Sequence, residues 1–195
     1  MVNNNFSLYN KKLIDRIEKK INFLGVSSKY TAINFLRLIT SIFFFVFIFS
    51  FFKYGYILAV VFVVLYYYLF EWVLLDNKIK KRTFKLNIEA IYFFEVLTLS
   101  LQTGRNLVEA ISITVNSSSS ELALEFKKAL RETKYGKSLN ESLSDMQKYI
   151  PSDSINNIII ALTQTNIYGS NIIDTMYNQV DYLREKRIME VKSKM

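Results

Sequence analysis

The chain has 195 residues, 51% of them hydrophobic and 15% aromatic, with 5 Gly, 1 Pro and a formal charge of +8. With no Cys and no His, it excludes disulfides, thiolate metal sites, cysteine nucleophiles and imidazole bases. So few helix breakers argue for long helices and an all-α fold. The apolar residues gather in one block rather than alternating with polar ones, which is a weak strand signal. The charge also divides the chain: residues 1–75 hold eight Lys/Arg against three acids, and residues 76–195 hold 17 bases against 14 acids.

Residues 1–31 form a basic lead. Within Leu8 to Leu24, residues Leu13, Ile14, Ile17, Ile21 and Leu24 fall on one helical stripe, with Lys11, Lys12, Arg16, Lys19 and Lys20 mostly off it. Such a basic amphipathic helix suits the anionic lipid of an inner leaflet, and equally suits packing on the domain downstream.

Residues 32–75 read as a transmembrane hairpin, with spans at about 32–52 and 54–75. Leu38 to Phe52 carries no charge, and the second span carries only Glu71. At about 1.5 Å per residue the second span reaches roughly 33 Å, enough for a hydrocarbon core of about 30 Å. Tyr66, Tyr67, Tyr68 and Trp72 crowd its far half, where interfacial aromatics belong. The competing reading, a core hairpin of a soluble protein, fits poorly because neither helix has a polar face. Bases before the first span and after the second, against Lys53 alone between them, place both ends in the cytoplasm. Arg37 and Glu71 both fall near that face. They either snorkel to the headgroups or make an intramembrane polar contact with another subunit.

A charged linker is expected over 76–86, followed by a cytosolic helical domain over 87–195. Six helices in three hairpins are expected there, at about 87–103, 107–115, 121–135, 139–149, 153–168 and from 172. Core stripes are expected from Leu122, Phe126, Ala129 and Leu130, from Ile158, Ile159, Ala161 and Leu162, and from Ile173, Met176, Val180 and Leu183.

A repeated motif punctuates this domain: Gly104-Arg-Asn106-Leu-Val-Glu109, Gly136-Lys-Ser138-Leu-Asn-Glu141 and Gly169-Ser-Asn171-Ile-Ile-Asp174. Glycine accepts the left-handed backbone that ends a helix. The Asn or Ser caps the next helix, and the acid three residues on reaches back or favours the positive helix end. The copies stand 32 and 33 residues apart, which is helical-hairpin spacing. Gly136-Lys-Ser has the ending of a P-loop but lacks its upstream glycine. The Ser117 to Ser120 run reads as a loop and cap. Interspersed bases and acids after residue 76 argue against nucleic-acid binding.

The helical lead, the two-span hairpin and the three glycine motifs in register resemble the type II secretion system F domain. The order of spans before domain is similar to platform proteins of tight-adherence (Tad) pili. The resemblance covers residues 8 to 190. It implies an integral, multi-pass protein of the inner membrane that is not an enzyme and needs no cofactor or metal. It also implies partners: a hexameric secretion ATPase, pilin subunits, and a second platform subunit or a self-dimer. Turn residues Arg105, Glu109, Lys137 and Glu141 are candidates for ATPase contact, each with the plainer reading of a solvated, self-capping turn. Such platforms usually carry another pair of spans after the domain, so the chain is expected either to be truncated or to be completed by a second subunit. The alternative function is a membrane-anchored helical adaptor or regulatory module unrelated to pili.

Overall fold

The computed structural model describes residues 15–24, 38–43, 45–47, 65, 69, 75–168 and 171–193, with backbone alone at 165–168. Among these residues the chain is all-α and contains no strand. Two compact units divide it, Met1–Lys81 and Arg82–Met195.

In the first unit, residues 15–23 are helical. Ile17 and Ile21 are buried with Leu75, and Leu24 and Ile79 pack against them. Lys20 pairs with Asp76 at 2.9 Å. The stripe of the lead helix is therefore covered by residues 75–79, while Leu13 and Ile14 lie outside the described residues. The expected spans 32–52 and 54–75 also lie largely outside them, as do Arg37 and Glu71. Among the described residues no helix is long and apolar enough to cross a membrane. Those that are described in the first span, 38–43 and 45–47, are helical and carry exposed apolar side chains such as Leu38, Phe43 and Val46.

The second unit is built from six helices. They are α1 (Asn77–Gln102, whose first residues belong to the first unit), α2 (Leu107–Ser117), α3 (Glu121–Lys134), α4 (Leu139–Met146), α5 (Asp153–Tyr168) and α6 (Ile172–Lys192). A 3-10 turn, Gln147–Tyr149, follows α4, so the helix expected over 139–149 changes its winding near its end. The expected linker 76–86 is helical from Asn77. It contains no glycine or proline, and it buries Arg82 and Leu86 rather than leaving them in solvent. The helix expected over 87–103 therefore begins ten residues early, and those expected at 107–115, 121–135, 153–168 and from 172 are found with boundaries shifted by at most two residues.

One core joins the helices. Phe93 and Phe94 of α1 meet Phe126 of α3, with ring centroids 4.6 Å apart for Phe93–Phe126 and an edge-on contact at 6.0 Å for Phe94–Phe126. Leu122, Ile158, Ile159, Leu162, Met176, Val180 and Leu183 are buried around them, with Leu130 and Ile173 at the margin. Ala161, expected in the stripe of α5, is only half-buried.

Cross-helix contacts explain the motif spacing. Glu89 accepts the Leu122 N–H, a step of 33 residues, and Phe93 meets Phe126 at the same step. Arg82, Thr83 and Asn87 reach Tyr149, Pro151 and Ser152, at steps of 67, 68 and 65. Thus α1, α3 and the entry to α5 start side by side, about two repeat lengths covering three helices. α6 runs back along α1: Phe84 lies against Arg187, Glu95 pairs with Arg184, and Gln102 bonds Tyr177. The 32-residue interval between the first two turns thus follows the register of α1 and α3, and the turns after Gln102 and Lys134 fall at the end of the bundle remote from Arg82.

Candidate functional site

Two of the three motif glycines, Gly104 and Gly136, lie among the described residues, and their turns differ in detail. Gly104 and Gly136 have φ of +80° and +95°, in the region that disfavours side chains. At Gly136 both bonds of a Schellman turn are made: its N–H donates to Thr133 O, and the Lys137 N–H donates to Glu132 O. At Gly104 the N–H donates to Leu101 O, and the Thr103 hydroxyl takes the Ser100 carbonyl instead of a second backbone donor.

The caps differ as well. Ser138 and Glu141 form the full reciprocal box: the Glu141 N–H donates to Ser138 Oγ, and Glu141 Oε2 accepts from the Ser138 N–H and hydroxyl. Hydrogen bonds from Ser138 hold the Glu141 carboxyl below its usual range. Asn106 accepts the Glu109 N–H at 2.9 Å, which is half of such a box. Asn171 stands at the N-cap of α6 but makes no side-chain bond to the backbone there. Its amide instead donates to Asp174 Oδ2, while Gly169 lies outside the described residues.

The turn residues nominated for partner contact separate into two kinds. Lys137 is drawn into its own turn, where it bonds Asp145 and, at 2.7 Å, Glu132. Those hydrogen bonds raise the Lys137 ammonium well above its usual value. Lys137, together with Lys148 at 2.6 Å, lowers Asp145 to about 2. Glu141 is likewise occupied by its cap. Arg105 and Glu109 are exposed and form no ion pair with any described residue.

At the opposite end a charge cluster joins three helical segments, and the sequence reading missed it. Arg82 donates to Glu121 Oε1, to Glu125 Oε1 at 3.0 Å and to the Tyr149 carbonyl at 2.7 Å. Lys128 holds the other oxygen of Glu125, which is only 4% exposed. Burial raises the Glu121 carboxyl, but the Arg82 and Lys85 cations outweigh it and leave the group lowered. A signal was present: Glu125 sits beside Phe126 at the edge of an apolar stripe, and a carboxylate there requires a cation.

Between α1 and α6 lies a cavity of about 160 Å³, lined by Glu95, Thr98, Leu99, Tyr177, Val180 and Arg184. It is smaller than the roughly 300 Å³ and upward typical of small-molecule sites. Among the described residues no group of three or more carboxylates is placed to hold a metal ion.

The geometry is that of a helical scaffold: stacked hairpins closed by capped glycine turns at one end and tied by an ion cluster at the other. A family model, type II secretion system (T2SS), protein F, matches residues 93–195, and the chain belongs to that family. Proteins of this family are inner-membrane components of secretion and pilus machinery. No curated protein and no solved structure matches the chain.

Proposed function

We propose that this chain is an integral platform subunit of a Tad-like pilus or type II secretion machine, and that it couples a cytosolic secretion ATPase to pilin assembly without catalysing a reaction itself. The observation that carries the reading is the family match over residues 93–195, which follows the apolar stretch 38–75 in the chain. The exposed apolar side chains of helical residues 38–43 and 45–47 support lipid around the first span. In this reading the N-terminus and the helical domain face the cytoplasm. Arg105 and Glu109, at the turn end, are the free charges that an ATPase would meet, and Arg37 and Glu71 are left for contacts within the membrane.

Deletion of the chain tests the proposal. Surface pili should be lost while the ATPase retains its intrinsic hydrolysis, and normal piliation would overturn the platform role. Expressed alone, the chain should sediment with membranes and require detergent for release. Recovery in the supernatant would overturn the hairpin.

A further inference from the structure

α1 and α6 share an apolar side that the core does not use. The inward side of α1 carries Leu86, Ala90, Phe93, Phe94 and Leu97, all fully buried. On the opposite side of the same helix stand Ile88, Tyr92 and Leu99, each exposed although apolar. α6 runs back along α1 and adds Tyr177 and Ile188, which are exposed as well. The charges within this side are neutralised locally, because Arg184 holds Glu95 at 2.7 Å and Asp181 at 3.3 Å. The cavity lined by Leu99, Tyr177 and Val180 belongs to it too. Apolar side chains gathered on one side of a well-charged domain mark a surface that meets something other than water.

The ends of the two helices indicate what that is. α1 begins with Lys78, Lys80 and Lys81, and α6 ends with Lys192. All four are exposed and have no ion pair among the described residues. α1 also begins two residues after the apolar stretch 38–75. Free bases beside aromatic and aliphatic side chains are the composition of a surface that lies among anionic headgroups, and Tyr92 and Tyr177 are residues suited to that depth. An acidic protein segment would satisfy the bases alone, and not the apolar residues that extend as far as Leu99.

We infer that the shared side of α1 and α6 rests on anionic lipid, so that the helical domain lies along the membrane surface rather than standing away from it. The inference rests on the hairpin of the proposed function, which puts a bilayer at the start of α1. Leu99 decides between the two poses. It stands 24 residues past Leu75, about 36 Å along a helix. A domain that stands upright carries it far beyond a headgroup layer of roughly 5–8 Å. A domain that lies flat keeps it among the headgroups.

The chain has no cysteine, so a single introduced one takes a fluorescent label cleanly. The full chain is placed in nanodiscs of phosphatidylcholine and phosphatidylglycerol, with and without a lipid that carries a nitroxide quencher on its headgroup. The label on Leu99→Cys should lose about half of its fluorescence or more to that lipid. Leu124 is 54% exposed against 59% for Leu99, but it stands on α3, and a label on Leu124→Cys should lose almost none. Adding Tyr92→Glu/Ile188→Glu, both at exposed positions, should restore the Leu99→Cys signal. A Leu99→Cys label that is not quenched overturns the inference, as does equal quenching of the two labels or quenching that survives the two glutamates. A Leu99→Cys label untouched by the lipid quencher but shielded from iodide as more copies enter each nanodisc would mean that a second copy covers this side, which also overturns it. A chain that fails to enter nanodiscs overturns the hairpin and this inference together, whereas entry with an unquenched label overturns this inference alone.

Discussion

Replacing Gly136 by alanine isolates the cost of a backbone angle. A Cβ at this position would meet nothing within 4 Å, so no neighbour is displaced. What remains is φ at +95°, where an L side chain clashes with its own backbone at about 1–2 kcal/mol. Alanine also narrows the unfolded ensemble, which offsets roughly 0.4–1 kcal/mol of that. The net loss should be near 1 kcal/mol, or roughly 4 °C in melting temperature for a domain of this size. Valine, branched at Cβ, should cost more, and asparagine, which tolerates positive φ, less. The chain could escape the strain by moving φ to negative values. That would break the bonds to Thr133 O and Glu132 O, each worth about 0.5–1.5 kcal/mol, so escape offers no gain. Thermal melting of the full chain by circular dichroism measures the series. Alanine and valine variants that melt with wild type would refute the turn.

Other perturbations read other parts of the fold. Arg82→Met should destabilise by about 3–5 kcal/mol, because Glu125 loses its guanidinium while buried, and adding Glu125→Leu should recover part of the loss, as denaturant titration of both variants would show. Phe126→Ala should cost about 3–5 kcal/mol by the same assay, since it empties the contact with Phe93 and Phe94. Asp145 is lowered from 3.8 to about 2, so below pH 4 the unfolded chain binds its proton first. Its contribution is complete above that pH and is lost as the pH falls towards 2. Asp145→Asn should therefore show a shallower fall in melting temperature across this window, and equal slopes would refute the Lys137 and Lys148 contacts.

Much of the helical domain was legible because its signals are local. Glycine, a cap residue and an acid at fixed spacing specify a turn with no knowledge of what lies across it, and the stripes through Phe126, Ile158 and Met176 specify the core. What failed to show were long-range assignments. Lys78 to Lys85 looks like a juxtamembrane basic run, and only the arrival of Glu121, Glu125 and Tyr149 some 40 to 70 residues later turns Arg82 inward. The third turn departed from the pattern at Asn171, whose amide turns to Asp174 rather than to the backbone.

The shared 33-residue step also constrains how this protein can change length. One residue inserted in α1 between Arg82 and Phe93 would swing one anchor by about 100° relative to the other, and the two could not then both keep their partners on α3. The connection at 147–152 is held by its own carbonyls, so it has little slack. The serine run between α2 and α3 is bound mainly by local caps, which makes it the joint where a tag or an extra loop could be spliced without unseating the rest.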